Sequence, residues 1–413
     1  MSIELPAQRR PLTWEVLRHR DFALLFWGQL ISAAGTQMQV VAVAWQVLLL
    51  THSPVALGLI GLAQGIPRIL FSLVGGVFAD VLDRRRLLVV VNSLLACTSV
   101  VLALCTIANV VNVAIIYGVV LVASSVSAFE FPTRQAVIPS LIPREQMGDA
   151  LALNSAAFGL TVIVGAAAGG VVLAQVGVAS TYWVDVASYI VVLGALLLMA
   201  VPRIPIERRA RAGVAAMREG IGFVRAHPII LAMMALDFFA TFFGSPRALL
   251  PVYAQDVYHA GAQGLGLLLA ATSIGAVTMT PLAGRIGRVA RKGVGVLLAV
   301  LAWGVCIVLF GVAAGPLWLG VTLLAGAGAA DMVSSILRGQ ILQLTTPNEL
   351  RGRISAVNAM FVIGGPMLGQ FESGVVAGLL TPELSVVTGG LACIVATLVI
   401  AARVPSLLRA RLK

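Results

Sequence analysis

The chain has 413 residues, 59% hydrophobic and 11% charged, with a formal net charge of +11 and a mean hydropathy of +1.00. A soluble domain carries about 25% charged residues, so this chain lacks the polar groups to cover a water-facing surface, and disorder would need low hydrophobicity. What is left is a polytopic membrane protein. Its four cysteines (Cys97, Cys105, Cys306 and Cys393) all fall in apolar runs and read as packing residues rather than disulfide partners or zinc ligands.

Crossing a bilayer takes about 20 apolar residues. Runs of that kind predict spans at 22–50, 55–78, 87–108, 112–131, 150–174, 180–201, 228–254, 264–284, 293–313, 316–337, 354–379 and 385–403. The first is too long for a cleaved signal, lacks an A-x-A-type site and is followed by further spans, so Arg9-Arg10 is not read as a twin-arginine signal. With these spans, 26 of the 28 basic residues fall on one side of the membrane, and the loops of the other side hold none. One missed or invented helix would swap the later loops and break the pattern. Both ends are therefore expected in the cytoplasm. The resulting layout is a cytoplasmic N-terminus (1–21), a six-helix half (22–201), a cytoplasmic linker (202–227), a second six-helix half (228–403) and a cytoplasmic tail (404–413). In the linker, Val214–Val224 has helical spacing of apolar residues and is expected to lie along the membrane face. The positive charge serves topology; spread over seven loops, it forms no nucleic-acid patch.

The chain also repeats itself. Arg134–Asn154 reads RQAVIPSLIPREQMGDALALN and Arg338–Asn358 reads RGQILQLTTPNELRGRISAVN, so a constant offset of 204 places Arg134 on Arg338, Pro143 on Pro347, Glu145 on Glu349 and Gly165 on Gly369. Parallel six-helix halves with a path between them are one transporter architecture. The run Gly75-Gly76-Val77-Phe78-Ala79-Asp80-Val81-Leu82-Asp83-Arg84-Arg85-Arg86 resembles the loop 2–3 signature of the major facilitator superfamily, with Asp83 where glycine is commonest. Leu50-Thr51-His52-Ser53-Pro54, Pro132-Thr133-Arg134 and Phe243-Gly244-Ser245-Pro246-Arg247 are similar to the bacterial branch of enterobactin-type siderophore exporters and macrolide efflux proteins.

The resemblance implies an all-α fold of twelve transmembrane helices working by alternating access. It also implies a cytoplasmic latch between the halves, for which Gly76, Asp80, Arg84, Arg85, Arg134 and Arg338 are the candidates, the arginines pairing with acids across the interface. The alternative for Asp83–Arg86 is a plain positive-inside anchor. Gly165, Gly169 and Gly170 in the fifth span resemble an antiporter glycine signature, with Ala166 where proline is common. Such small residues permit backbone contact with a helix of the other half, or ordinary small-residue packing.

Charges inside a bilayer are costly and mark function by default. Asp237 lies about nine residues into the seventh span, roughly 14 Å deep, and is the first candidate for proton coupling, with Arg68 as an available partner. Glu130 and Asp331, expected a turn or two above the cytoplasmic ends of the fourth and tenth spans, are the others. Glu130 is also four residues from Arg134, which allows a local ion pair. Arg68, Gln64, Arg247 and Glu372 are candidates for the substrate path, as are Phe238 and Phe242, whose alternative is plain packing. Arg247 stands beside a Gly-Ser-Pro break whose freed carbonyls are available to it. Asp185 is read as hydrogen-bonded locally.

No GxxxxGK[ST] loop for ATP exists, and no metal cluster or nucleophile-base set is found. An enzyme is not expected, and neither a cofactor nor a metal. The reading is a monomeric multi-pass protein of the cell inner (plasma) membrane that exports an amphipathic molecule, siderophore or drug-like, by proton antiport. The alternatives are a facilitator or importer of small solutes, or a lipid flippase of the same fold.

Overall fold

The computed structural model describes residues 14–200, 214–347 and 350–409, of which 72–81, 214–217 and 408–409 are described by backbone alone. Among the described residues, twelve helices are long and apolar enough to cross a membrane. In the first half they are α1 (Arg20–Thr51), α2 (Pro54–Val81), α3 (Arg84–Ile107), α4 (Val113–Val137), α5 (Met147–Val176) and α6 (Val178–Leu198). In the second they are α7 (Pro228–Phe243, with a broken continuation to Val257), α8 (Gly261–Met279), α9 (Lys292–Val312), α10 (Leu317–Thr345), α11 (Arg351–Leu379) and α12 (Pro382–Arg403).

Several helices overrun their predicted spans at the arginine-rich end, because polar residues end an apolar run without ending a helix. The consequence is largest in α10, which continues to Thr345. Asp331 therefore sits about half way along this helix, not a turn or two above its end. Arg338 lies inside the helix and Arg134 inside α4, so neither belongs to a loop.

Local chemistry fixes the starts of three helices. Asp83 N-caps α3, its Oδ1 accepting from the Arg86 N–H at 3.0 Å. Asn112 and Thr381 cap α4 and α12 in the same way, satisfying amides that have no partner within the helix. α7 stops at Phe243, since Pro246 has no N–H to continue the ladder. The chain resumes through a 3-10 turn at Arg247–Leu249 and a π-turn at Tyr253–Val257. The Gly244 carbonyl freed by the break accepts from Trp303 Nε1 of α9 at 3.1 Å.

Within the first half, α1 packs on α5 and α6, and α3 on α4 and α6; in the second, α11 packs on α7 and α9 on α10 and α12. The halves meet along two seams, α2 against α11 and α5 against α8. Both seams are tightest at the end opposite the arginine-rich loops. There Gly170 meets Gly266, Gly58 meets Gly374, and Gly61 meets the Met367 backbone. A core cluster joins Val41, Ala166 and Leu173 of the first half to Leu249, Tyr253 and Leu265 of the second. Among the described residues, no contact of comparable extent joins α4 or α5 to α10 or α11 at the arginine-rich end.

The linker carries a helix, Val214–Ala226. Its Phe223 and Val224 pack with Ile230, Met234, Ile354 and Val357, and Glu219 pairs with Arg353 of α11 at 2.5 Å. Instead of merely lying along the membrane face, it docks on the ends of α7 and α11. Residues 1–13 and 202–213 of the proposed N-terminus and linker, and 410–413 of the tail, lie outside the described residues.

Candidate functional site

The two repeat-related arginines each reach back to the first helix of their own half. In the second half, Arg338 Nη1 lies 2.6 Å from Asp237 Oδ1 on α7, and its Nη2 lies 3.5 Å from Asp331 Oδ1 on α10. The planar fork of a guanidinium suits such bridging. The Asp237 and Arg338 side chains are only 9% and 13% exposed, whereas Asp331 is 45% exposed. Arg338 is thus the partner of Asp237 in place of the expected Arg68, because α7 and α10 face each other inside one half. In the first half, Arg134 Nη1 donates to Gln29 Oε1 on α1 at 2.9 Å, and its guanidinium lies 5.5 Å from the Phe131 ring centroid. Glu130 sits within electrostatic reach of Arg134, Gln29 and Arg68; its expected ion pair with Arg134 is not formed at contact distance. A neutral amide therefore stands on α1 where a carboxylate stands on α7. One nitrogen each of Gln29 and Arg134 is buried without a hydrogen bond.

Between the halves lies a cavity of about 30 Å³, lined by Gln64 of α2, Arg247 and Pro251 of the broken α7, Leu265 of α8 and Gln370 of α11. Arg247 is exposed even though it lies between the helices, and Arg68, one turn along α2 from Gln64, is half-buried. Trp303 occupies the carbonyl freed by the α7 break, and among the described residues Arg247 makes no hydrogen bond to any other. Phe238 stacks on Phe242 at 5.5 Å and meets Phe361 of α11 edge-on at 6.0 Å. That packing joins α7 to α11. Glu372 is half-buried in α11 and has no ion pair among the described residues.

Arg84 and Arg85 are placed differently from expectation, whereas Asp185 makes the local hydrogen bond expected of it. Arg84 Nη1 donates to the Ala136 carbonyl at the end of α4 at 2.8 Å. Arg85 donates to the Leu196 and Leu197 carbonyls at the end of α6, at 2.7 and 2.5 Å. Both therefore satisfy helix C-termini of their own half, where carbonyls lack partners and the dipole favours cations, rather than acids across the interface. Gly76 and the side chain of Asp80 fall in the stretch described by backbone alone. Of the antiporter-like glycines, Gly165 and Gly169 face Ala34 and Met38 of α1 in their own half; Gly170 alone of the three crosses to the other half. Asp185 is fully buried and accepts from Ser99 Oγ at 2.6 Å.

Gln29 and Gln370 are site residues missed by the sequence reading, which weighed charges and, among the amides, took only Gln64 for its place one turn from Arg68. The signal was available as a glutamine inside an otherwise apolar span. Among the described residues no group of His, Cys, Asp and Glu is arranged to hold a metal.

A family model described as transmembrane secretion effector matches residues 12–411. Relatives include the enterobactin exporter EntS of Escherichia coli and of Shigella boydii, each 29% identical over 374 residues, or 90% of this chain and 89% of the relative. Among solved structures, the nucleoside transporter NupG aligns with a TM-score of 0.71 at 14% identity, covering 95% of this chain and 99% of that one. A POT family transporter in complex with a thioalcohol-conjugated peptide aligns at 0.76 and 11% identity, covering 94% and 96%. At such identities the solved structures share the fold alone.

Proposed function

Because the chain belongs to the transmembrane secretion effector family of the major facilitator superfamily, it is a membrane transporter and not an enzyme, and we propose that it exports an amphipathic organic molecule by proton-coupled antiport. The observation that carries this reading is the one-ended closure of the halves, with Gly170 on Gly266 and Gly58 on Gly374 at the end opposite the basic loops. A carrier that works by alternating access needs such a state and its mirror. Basic loops remain in the cytoplasm, so this is the inward-open state, in which an exporter loads its cargo. Similarity to enterobactin exporters makes a siderophore or drug-like compound the cargo class.

Coupling is assigned to the Asp237–Arg338–Asp331 cluster, with Glu130 as the second choice. Ionised, Asp237 holds Arg338 and ties α7 to α10. Protonated, it releases the guanidinium to Asp331, and the tie between these helices weakens. Such a change alters the relative free energy of the two end states, which is what coupling requires. One chain contains both halves and the path between them, so a monomer suffices.

The test is transport in inside-out and right-side-out vesicles carrying an imposed pH gradient, with a panel of siderophores and dyes. Export predicts accumulation inside inside-out vesicles when their lumen is acidic. Accumulation only in right-side-out vesicles with an acidic exterior would instead establish import.

A further inference from the structure

Among the described residues, Arg68, Arg134 and Arg338 lie inside spanning helices and Arg247 in the turn that breaks α7. Arg338 holds Asp237 and Asp331. Arg134 holds Gln29 and shares Glu130 with Arg68. Arg247 is left over. Among the described residues it makes no hydrogen bond and no ion pair, and its electrostatic neighbour is a second cation, Arg68. Arg247 lines the inter-half cavity beside Gln64, one turn along α2 from Arg68, and two like charges within electrostatic reach between apolar helices are mutually repulsive and costly.

The surroundings are suited to a guest. Arg247 is exposed to the inter-half cavity. Gln64 and Gln370 line the same cavity with amides, while Leu57, Ile60, Leu265 and Leu269 supply apolar wall. Arg247 follows the break in α7, so its position is set by an interruption of the helix. An anion placed between Arg247 and Arg68 would receive charge-assisted hydrogen bonds, and the amides would take its remaining lone pairs. At about 30 Å³ the cavity admits only a small polar group in this state, and an apolar body attached to that group would extend from it toward the open end between the halves.

We propose that Arg247 and Arg68 form a subsite for an acidic group of the cargo, of the carboxylate, sulfonate or phosphonate kind. The subsite deepens the export reading and rests on it for the word cargo; its binding test does not depend on transport. Because each guanidinium belongs to a different half, the anion bridges them. Cargo binding then reports to both halves at once, and a neutral analogue lacks that bridge.

The experiment uses the full chain in lipid nanodiscs and follows thermal unfolding with four probes: benzoate, benzenesulfonate, phenylphosphonate and the neutral control benzamide. At least one anion is expected to raise the unfolding temperature more than benzamide does, with an effect that shrinks as salt rises. Arg247→Gln and Arg68→Gln should each weaken that probe at least about tenfold, the loss of one charge-assisted contact worth about 1.4 kcal/mol. Arg247→Lys should retain part of the binding, and Arg288→Gln in a basic loop should bind as wild type. The proposal is overturned if no anion exceeds benzamide, or if folded Arg247→Gln binds the anion as tightly as wild type. Vesicles that import would sink the export reading and leave this subsite standing; absent anion binding in a protein that exports would do the reverse.

Discussion

Gly170 of α5 and Gly266 of α8 approach so closely that a Cβ added to either would lie 2.9 Å from the Cα of the other. A Cβ on Gly374 of α11 would lie 2.7 Å from the Gly58 Cα of α2. Gly374 is the repeat mate of Gly170 at the 204-residue offset. The same contact is therefore made twice with the halves exchanged, and both copies sit at the closed end.

This pairing predicts a bias in conformation. Gly170→Val and Gly374→Val would each force backbones apart, at an overpacking cost of about 1–3 kcal/mol in this state. That is enough to shift a two-state population about fivefold or more. Transport should fall by a similar factor with normal membrane assembly, and a cysteine at Gln64 should become reactive to an impermeant reagent from the closed side. Gly118→Ala, where an added Cβ meets nothing within 4 Å, is the matched control. Unchanged labelling in both valine variants would remove the closure role from these glycines.

The Arg338 bridge makes a prediction about stability. Arg338→Gln leaves the Asp237 carboxylate buried without its partner, and breaking one side of a buried pair costs about 3–5 kcal/mol. Adding Asp237→Asn removes the stranded charge, so the double variant should unfold at a higher temperature than Arg338→Gln alone. Thermal unfolding of the four proteins in nanodiscs forms the cycle. Additive losses would show that the two side chains are not coupled.

Much of the fold was legible because it rests on one-dimensional signals. Apolar run length fixed the twelve spans, charge sidedness checked their number, and the 204-residue offset exposed the halves. The site was legible only in part, for a physical reason. A charge inside an apolar run can be read from sequence, so Asp237 and Arg68 were both picked out, but depth depends on where the helix ends, as Asp331 shows, and which face meets which helix depends on packing. Asp237 turned to Arg338 and not to Arg68 because α10 faces α7 within the second half. Arg84 and Arg85 went to carbonyls at the ends of α4 and α6, acceptors that exist only once those helices have ended nearby. Gln29 was overlooked because, unlike Gln64 beside Arg68, it has no charged residue one turn away on its helix to flag it.

Asp83, the departure from the family signature, yields a modest prediction. Its side chain caps α3, so Asp83→Ala should destabilise the protein by about 1 kcal/mol. Asp83→Asn or Asp83→Ser should lose much less, since both still accept from the Arg86 amide. Transport per folded molecule should be unchanged in all three. A transport loss in Asp83→Ser with full stability would give Asp83 a role beyond the cap.

The last prediction concerns Asp237 and separates coupling from structure. The carboxylate lies against Arg338 and is almost wholly buried, so its protonation must disrupt the ion pair that joins α7 to α10. If that disruption is what couples protons to cargo, Asp237→Asn mimics the protonated state permanently. The variant should exchange labelled cargo across proteoliposomes at a rate within a few-fold of wild type, yet fail to accumulate it when a pH gradient is imposed. Its exchange should also lose the pH dependence shown by wild type. A purely structural Asp237 predicts otherwise: stability and both transport modes would fall together, and the pH profile would keep its shape. The conservative variant Asp237→Glu keeps an ionisable group with a longer reach, so partial gradient-driven accumulation is expected from it. Wild-type accumulation by Asp237→Asn against an imposed gradient would exclude Asp237 as the coupling group. The same assay would then turn to Glu130, whose nearest cations are Arg134 and Arg68, through Glu130→Gln.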